Sequence, residues 1–141
     1  METLGSLCDK ITIEIIRRQK MAEAGRSEEL LVSEKVNNLK IEIDEYVYHA
    51  SKGLVVLNDP KLKFYKNEIP SNDVSHKISD SIVRLSEANY TLWNLEDKRR
   101  DKSVPDAERL QVCDDVGKWN RIRNDAIDKI NELFSKSINK T

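Results

Sequence analysis

An arginine stands where a helix should be apolar. In VGKWNRIRNDAIDKINELF, residues 116–134, the stripe formed by Val112, Val116, Trp119, Arg123, Ala126, Ile130 and Leu133 is spaced by fours and threes, and only Arg123 is charged. Asn120 and Asn124 flank it. The preceding helical stretch has polar intruders of its own: Asn89 beside its stripe, and Trp93, Glu96 and Arg100 sharing a face. A guanidinium with amides around it suits carboxylates, phosphates or sugar hydroxyls. The candidate ligand-binding residues are therefore Asn89, Trp93, Glu96, Arg100, Asn120, Arg123 and Asn124.

A buried guanidinium without a partner costs several kcal/mol, so something must satisfy Arg123. Folding the two stretches into a hairpin about Ser103 sets Asn89 level with Gly117 and Asn120, where Gly117 makes room for Trp93 or Tyr90. Arg123 then lies about 18 Å along the axis from Glu96, at ~1.5 Å per residue. Its partner is expected on one of the first two helices. Three outcomes stay open: a closed network that fixes helix register, an anion or small-molecule site within the bundle, or an arginine that snorkels to solvent.

Other chemistries find less support. Glu96, Asp97, Asp114, Asp115, Asp125 and Asp128 could together suggest magnesium, but the wheel puts Asp125 and Asp128 on the solvent side. No glycine-rich phosphate loop, nucleophile elbow or histidine-based catalytic set occurs. Cys8 and Cys113 fall at core-facing positions, far from His49 and His76, and too few such residues exist for zinc. No metal and no cofactor is expected.

The 141 residues suffice for one domain with a core that needs neither disulfide nor metal. Charged residues form 35% of the chain, yet the formal net charge is −1, which argues against a nucleic-acid partner. The mixed run EDKRRDK, residues 96–102, reads as a solvated helix end. The first residues carry acids and no cationic start before an apolar run, so no signal peptide is expected. No stretch approaches the ~20 apolar residues that a membrane crossing needs. Two thiols without a framework fit a reducing compartment. The expected location is the cytoplasm.

The elements that must position these residues are four helices, near 4–24, 28–52, 73–101 and 105–136. The first presents Leu4, Cys8, Ile11, Ile15 and Ala22, and Gly25 closes it. Ser27 is the expected cap of the second, which presents Val32, Val36, Leu39, Ile43, Tyr46, Val47 and Ala50 until Gly53. The third presents Val74, Ile78, Ile82, Leu85, Leu92 and Leu95. Ser103 is the expected cap of the fourth, with Pro105 in its first turn. Two short turns make two antiparallel hairpins. The irregular connection over 53–72 joins them, either as a strap that packs Val55, Val56, Leu57, Phe64 and Ile69 or as a lid. The fold class is all-α, a four-helix bundle with one long crossover. A second partial stripe, Leu30, Ile41 and Tyr48 on helix two with Ile13 and Ile16 on helix one, predicts a homodimer.

The runs ANYTLWNLEDKRRD and DDVGKWNRIRNDAIDKI resemble a bacterial helical family of unknown function. Its members carry Asn-x-x-Leu-Trp-x-x-Glu-Asp-x-x-Arg, a turn, then Asp-x-x-Asn-x-x-Arg-Asn-Asp. Here Asn89, Leu92, Trp93, Glu96, Asp97 and Arg100 match the first pattern, and Asn120, Arg123, Asn124 and Asp125 the second. Gly117 replaces the leading Asp. The resemblance spans roughly residues 80–134, with ETLGSLCDKITI near the start similar as well. Its members stand among surface-glycan and glycosyltransferase genes, which implies a link to glycan metabolism and no particular reaction. Two functions follow: a non-enzymatic binding or accessory bundle, or an enzyme or sensor holding a sugar or phosphorylated ligand at the Arg/Asn cluster.

Overall fold

The computed structural model describes residues 2–55 and 76–139. Four helices run in order: α1 (Leu4–Glu23), α2 (Glu29–Ser51), α3 (Ile78–Arg100) and α4 (Asp106–Ile138). The architecture is the expected all-α four-helix arrangement, with α1 packed on α2 and α3 on α4 as the closest pairs. The central connection lies mostly outside the described residues. So do Val56, Leu57, Phe64, Ile69, Asp73 and Val74. Of the five residues expected to pack from it, Val55 is described, and it lies against the core.

Local chemistry sets most of the helix ends. At the start of α1 the Thr3 hydroxyl accepts the Ser6 amide (3.1 Å), and the Ser6 hydroxyl accepts the Thr3 amide (2.8 Å). This reciprocal pair satisfies two amide donors that the first turn leaves free. Gly25 (φ 68°) and Gly53 (φ 72°) take the left-handed conformation that ends α1 and α2. There the Arg26 amide reaches back to the Met21 carbonyl, and the Leu54 amide to that of His49.

Two expected caps are corrected. Glu28, not Ser27, occupies the cap position of α2, with no side-chain hydrogen bond. Ser103 gives its amide and hydroxyl to Asp101 Oδ1, at 2.9 and 2.6 Å, and so caps the turn rather than α4. Pro105 precedes α4 instead and offers its carbonyl to the Arg109 amide. Helix α3 begins at Ile78, not near 73, because His76 and Lys77 are not helical.

The core falls into two apolar clusters. The larger joins all four helices through Leu4, Cys8, Ala50, Leu85, Ala126, Ile130 and Phe134. The smaller, Leu92, Val112 and Val116 with Leu95 and Trp119 against it, belongs to α3 and α4 alone. Helix α1 reaches α3 and α4 as well as α2. Helix α2 leans chiefly on α1 and meets α4 near its C-terminal end, where the Tyr46 and Phe134 rings lie 6.0 Å apart. Gly5 permits the close approach of α1 to α4. A Cβ there would sit 2.5 Å from the Ile127 carbonyl oxygen, and the Gly5 amide donates to Asn131 Oδ1 at 2.7 Å.

That approach fixes the rotation of α1 and corrects its expected face. Its buried residues are Leu4, Gly5, Leu7, Cys8, Asp9, Thr12 and Ile16, while Ile15 and Ala22 are exposed and Ile11 is half-buried. Ile16, placed by the wheel on an outer stripe, belongs inside. Cys113 is exposed, one position round the helix from the true contact line of Val112 and Val116. Gly117 makes room for nothing: no atom lies within 4 Å of where its Cβ would be. Tyr90 is exposed instead, with the Lys20 ammonium 5.1 Å from its ring centre. Among the described residues no helix is long and apolar enough to cross a membrane.

Candidate functional site

Between the two apolar clusters lies a polar layer, and Arg123 is part of it. On α3 it follows Leu85 and precedes Leu92, at Asn89. On α4 it falls between Trp119 and Ala126. The third helix at this level is α1, which supplies the missing acid. Asp9 takes Arg123 side-on, with Nε donating to Oδ1 at 2.8 Å and Nη2 to Oδ2 at 2.5 Å. Such forked pairs fix direction as well as distance.

The rest of the layer closes on the same carboxylate. Asn89 Nδ2 donates to Asp9 Oδ1 (3.0 Å) and to Thr12 Oγ1 (2.8 Å). The Thr12 hydroxyl donates back along its own helix to the Asp9 carbonyl at 2.9 Å. Asp9 is 7% exposed, so its two oxygens meet side-chain donors where water is largely excluded. The Arg123 side chain keeps 31% of its surface open. Hydrogen bonding to Asp9 raises its pKa above the ordinary value, against a smaller opposing effect of burial.

Of the seven candidates, this layer contains Asn89 and Arg123. Asn89 turns towards α1 rather than towards Gly117 and Asn120. Asn120 is half-buried and Asn124 is exposed. Trp93 and Glu96 are half-buried and Arg100 is exposed. Glu96 pairs with Arg99 on its own helix at 2.6 Å, and Lys98 reaches Glu108 across the turn at 2.8 Å. The basic run there is the expected solvated helix end.

Asp9, Thr12 and Gly5 escaped the sequence reading. Their spacing, Gly5 then Asp9 then Thr12, puts a small residue, an acid and a hydroxyl on one line of α1 at steps of four and three. An acid on such a line is the complement of an arginine on an apolar stripe, and that was the available signal. Asp125 and Asp128 are half-buried, not solvent-facing as the wheel suggested, and neither lacks a partner. Among the described residues no three His, Cys, Asp or Glu side chains come together as a metal site.

No curated protein and no solved structure matches the chain. A family model does match residues 79–141, which take in α3 from its second residue and the whole of α4. The polar layer's Asn89 and Arg123 lie inside that stretch, and its Asp9 and Thr12 lie outside. Over those residues the chain is similar to an uncharacterised family, described as Protein of unknown function (DUF4254).

Proposed function

We propose that the chain is a non-enzymatic binding or accessory bundle in which the polar layer is architectural. The carrying observation is the double hydrogen bond from Arg123 to a buried Asp9 that Asn89 also engages. An anion site would keep its guanidinium fork free for the ligand. Here Nε and Nη2 are already committed, and a ligand carboxylate or phosphate would have to compete with Asp9 for them. The layer sits between two apolar clusters and ties α1 to the α3–α4 hairpin, which is the work of a register pin.

Its activity would then lie on the surface, and the outer face of α2 supports self-association. Leu30 is 75% exposed and Leu31, Ile41 and Tyr48 are exposed too. Two α2 helices paired antiparallel about residues 42–43 would set Lys40 beside the partner's Asp44, and Glu34 beside the partner's Lys52. Those charges flank the apolar line on both sides, so a second copy is the occupant they fit. In this reading the setting is the cytoplasm of a bacterium, near enzymes of surface-glycan synthesis; two thiols without a disulfide framework support the compartment.

Arg123→Met tests the reading, because methionine keeps much of the volume and removes the charge. We expect a loss of a few kcal/mol from the stranded Asp9. A thermal-shift screen of sugar phosphates and nucleotide sugars should then find no ligand whose stabilisation of the wild type disappears in the variant. One such Arg123-dependent ligand would replace the architectural reading with the sensor or enzyme.

A further inference from the structure

On α4 the residues Gly117, Arg121 and Asp125 run along a line roughly opposite the core line of Val116, Arg123 and Ile130. There the α3–α4 hairpin carries a groove of about 430 Å³, lined by Arg84 of α3 and by Gly117, Lys118, Arg121, Ile122 and Asp125 of α4. Elsewhere Arg17, Arg26, Arg99, Arg109 and Arg123 each pair with an acid, while Arg18 and Arg100 form no ion pair among the described residues. Among the described residues Arg84, Lys118 and Arg121 form no ion pair. One carboxylate, Asp125, lines the groove with these three cations, and it is not free. Gly117 has open space where a side chain would stand, and Ile122 beside it is half-buried and apolar.

We infer that this groove binds a small phosphorylated molecule from solution. Two guanidiniums from different helices can each fork onto phosphate oxygens, and Lys118 adds a point charge. A single carboxylate would be satisfied by one arginine, whereas three cations suit the doubly charged oxygens of a phosphate ester. The space above Gly117, next to Ile122, takes the organic part. A formal net charge of −1 argues against a nucleic-acid backbone as the ligand.

Calorimetric titration of inorganic pyrophosphate into the full chain at low salt is the test. The wild type should bind saturably, and added salt should weaken binding. Arg84→Gln and Arg121→Gln should each weaken it about tenfold, the loss of one charge pair near a protein surface. Gly117→Asp places a carboxylate in open space without a clash, so it should fold normally and lose binding. Arg123→Met should bind as the wild type does, which separates this groove from the polar layer. Absence of saturable binding, or undiminished binding by Gly117→Asp, would overturn the inference. So would retention on phosphatidic-acid vesicles by a protein that ignores free pyrophosphate.

Discussion

The two sides of α1 are built to different standards. Towards α3 and α4 it presents a glycine against a backbone carbonyl, and an acid that three hydrogen bonds hold in place. Towards α2 it presents an apolar seam, and the outer groove between these helices is lined by Ile13 and Leu39 with Lys10, Glu14, Lys35 and Asn38. The first contact tolerates one arrangement. The second would accept small rotations of α2, since apolar contact is not directional. Specificity in this fold is therefore concentrated in a layer of four side chains, while α2 contributes burial and an open outer face.

The sharpest way to break the comparison is to cut the directional side. Asp9→Ala strands Arg123 and takes one acceptor from Asn89, and should cost about 3 kcal/mol, moderated by the partial exposure of the arginine. Urea unfolding should show the midpoint fall with little change in slope. The double variant Asp9→Leu, Arg123→Met should recover most of that loss, because apolar replacements leave no stranded charge. If Asp9→Ala alone costs no more than an exposed pair such as Arg26–Glu28 would, the layer is not what holds α1.

Gly5 gives a smaller effect on the same side. Gly5→Ala drives a methyl group against the Ile127 carbonyl and the Asn131 side chain, so α1 must back away from α4. Overpacking of that kind costs about 1–3 kcal/mol. Gly117→Ala is the matched control, since open space and helical backbone let alanine add about 0.5–1 kcal/mol of stability. Equal effects from the two glycines in thermal or urea unfolding would remove the reason for placing Gly5 at a close crossing.

How much of this was legible beforehand follows from the physics of each part. Periodicity gave the four helices because each buries a stripe several turns long, and glycines at 25 and 53 marked two ends through a backbone requirement local to them. The arginine at 123 was conspicuous for the same reason: charge on a stripe breaks the period. Its partner was not, because Asp9 lies 114 residues away and helix–helix rotation depends on which faces meet. The wheel for α1 failed where Ile11, Ile15 and Ile16 offered competing apolar faces, and the Gly5 contact chose between them. Ser27 and Ser103 had the right chemistry for caps, but their turns placed them one or two residues too early. Asn89 and Arg123 were both singled out as polar intruders, and the structure joins them through Asp9 rather than through the expected contact of Asn89 with Gly117 and Asn120. The sequence could not say that the constellation would be split, with Arg100 and Asn124 left in solvent.

The two thiols probe the layered side without disturbing it. Burial, aided by the nearby Asp9 charge, pushes the Cys8 thiol up to about 11 from an ordinary 9.0. A raised folded-state value means that the native protein holds this proton more tightly than the unfolded chain. Stability from Cys8 is thus complete below pH 9.0 and declines as pH rises towards about 11. Cys8→Ala, though less stable overall, should show a flatter decline over that window, and the difference between the two curves isolates this thiol from other groups. A thiol reagent at neutral pH should modify exposed Cys113 quickly and Cys8 only through opening of the core. Two equally fast thiols would mean that α1 does not stay closed against α3 and α4.

The outer face of α2 should matter least to folding and most to assembly. Leu30, Ile41 and Tyr48 recur along one line of the helix, and their exposure means that a charge placed among them buries nothing. Ile41→Glu is therefore expected to leave unfolding of the isolated chain within about 0.5 kcal/mol of the wild type. If two copies pair antiparallel there, the substitution sets two new carboxylates near the twofold axis, beside Asp44 and Glu45, and like charges at such a seam oppose pairing. Light scattering at roughly tens of micromolar should then give twice 16.3 kDa for the wild type and a single chain for the variant. Lys40→Glu should act in the same direction more weakly, and in combination with Asp44→Lys should restore the dimer, since the exchange keeps the unlike pair. A wild type that scatters as one chain at that concentration would end the proposal, and α2's outer stripe would then need cover from another part of the protein.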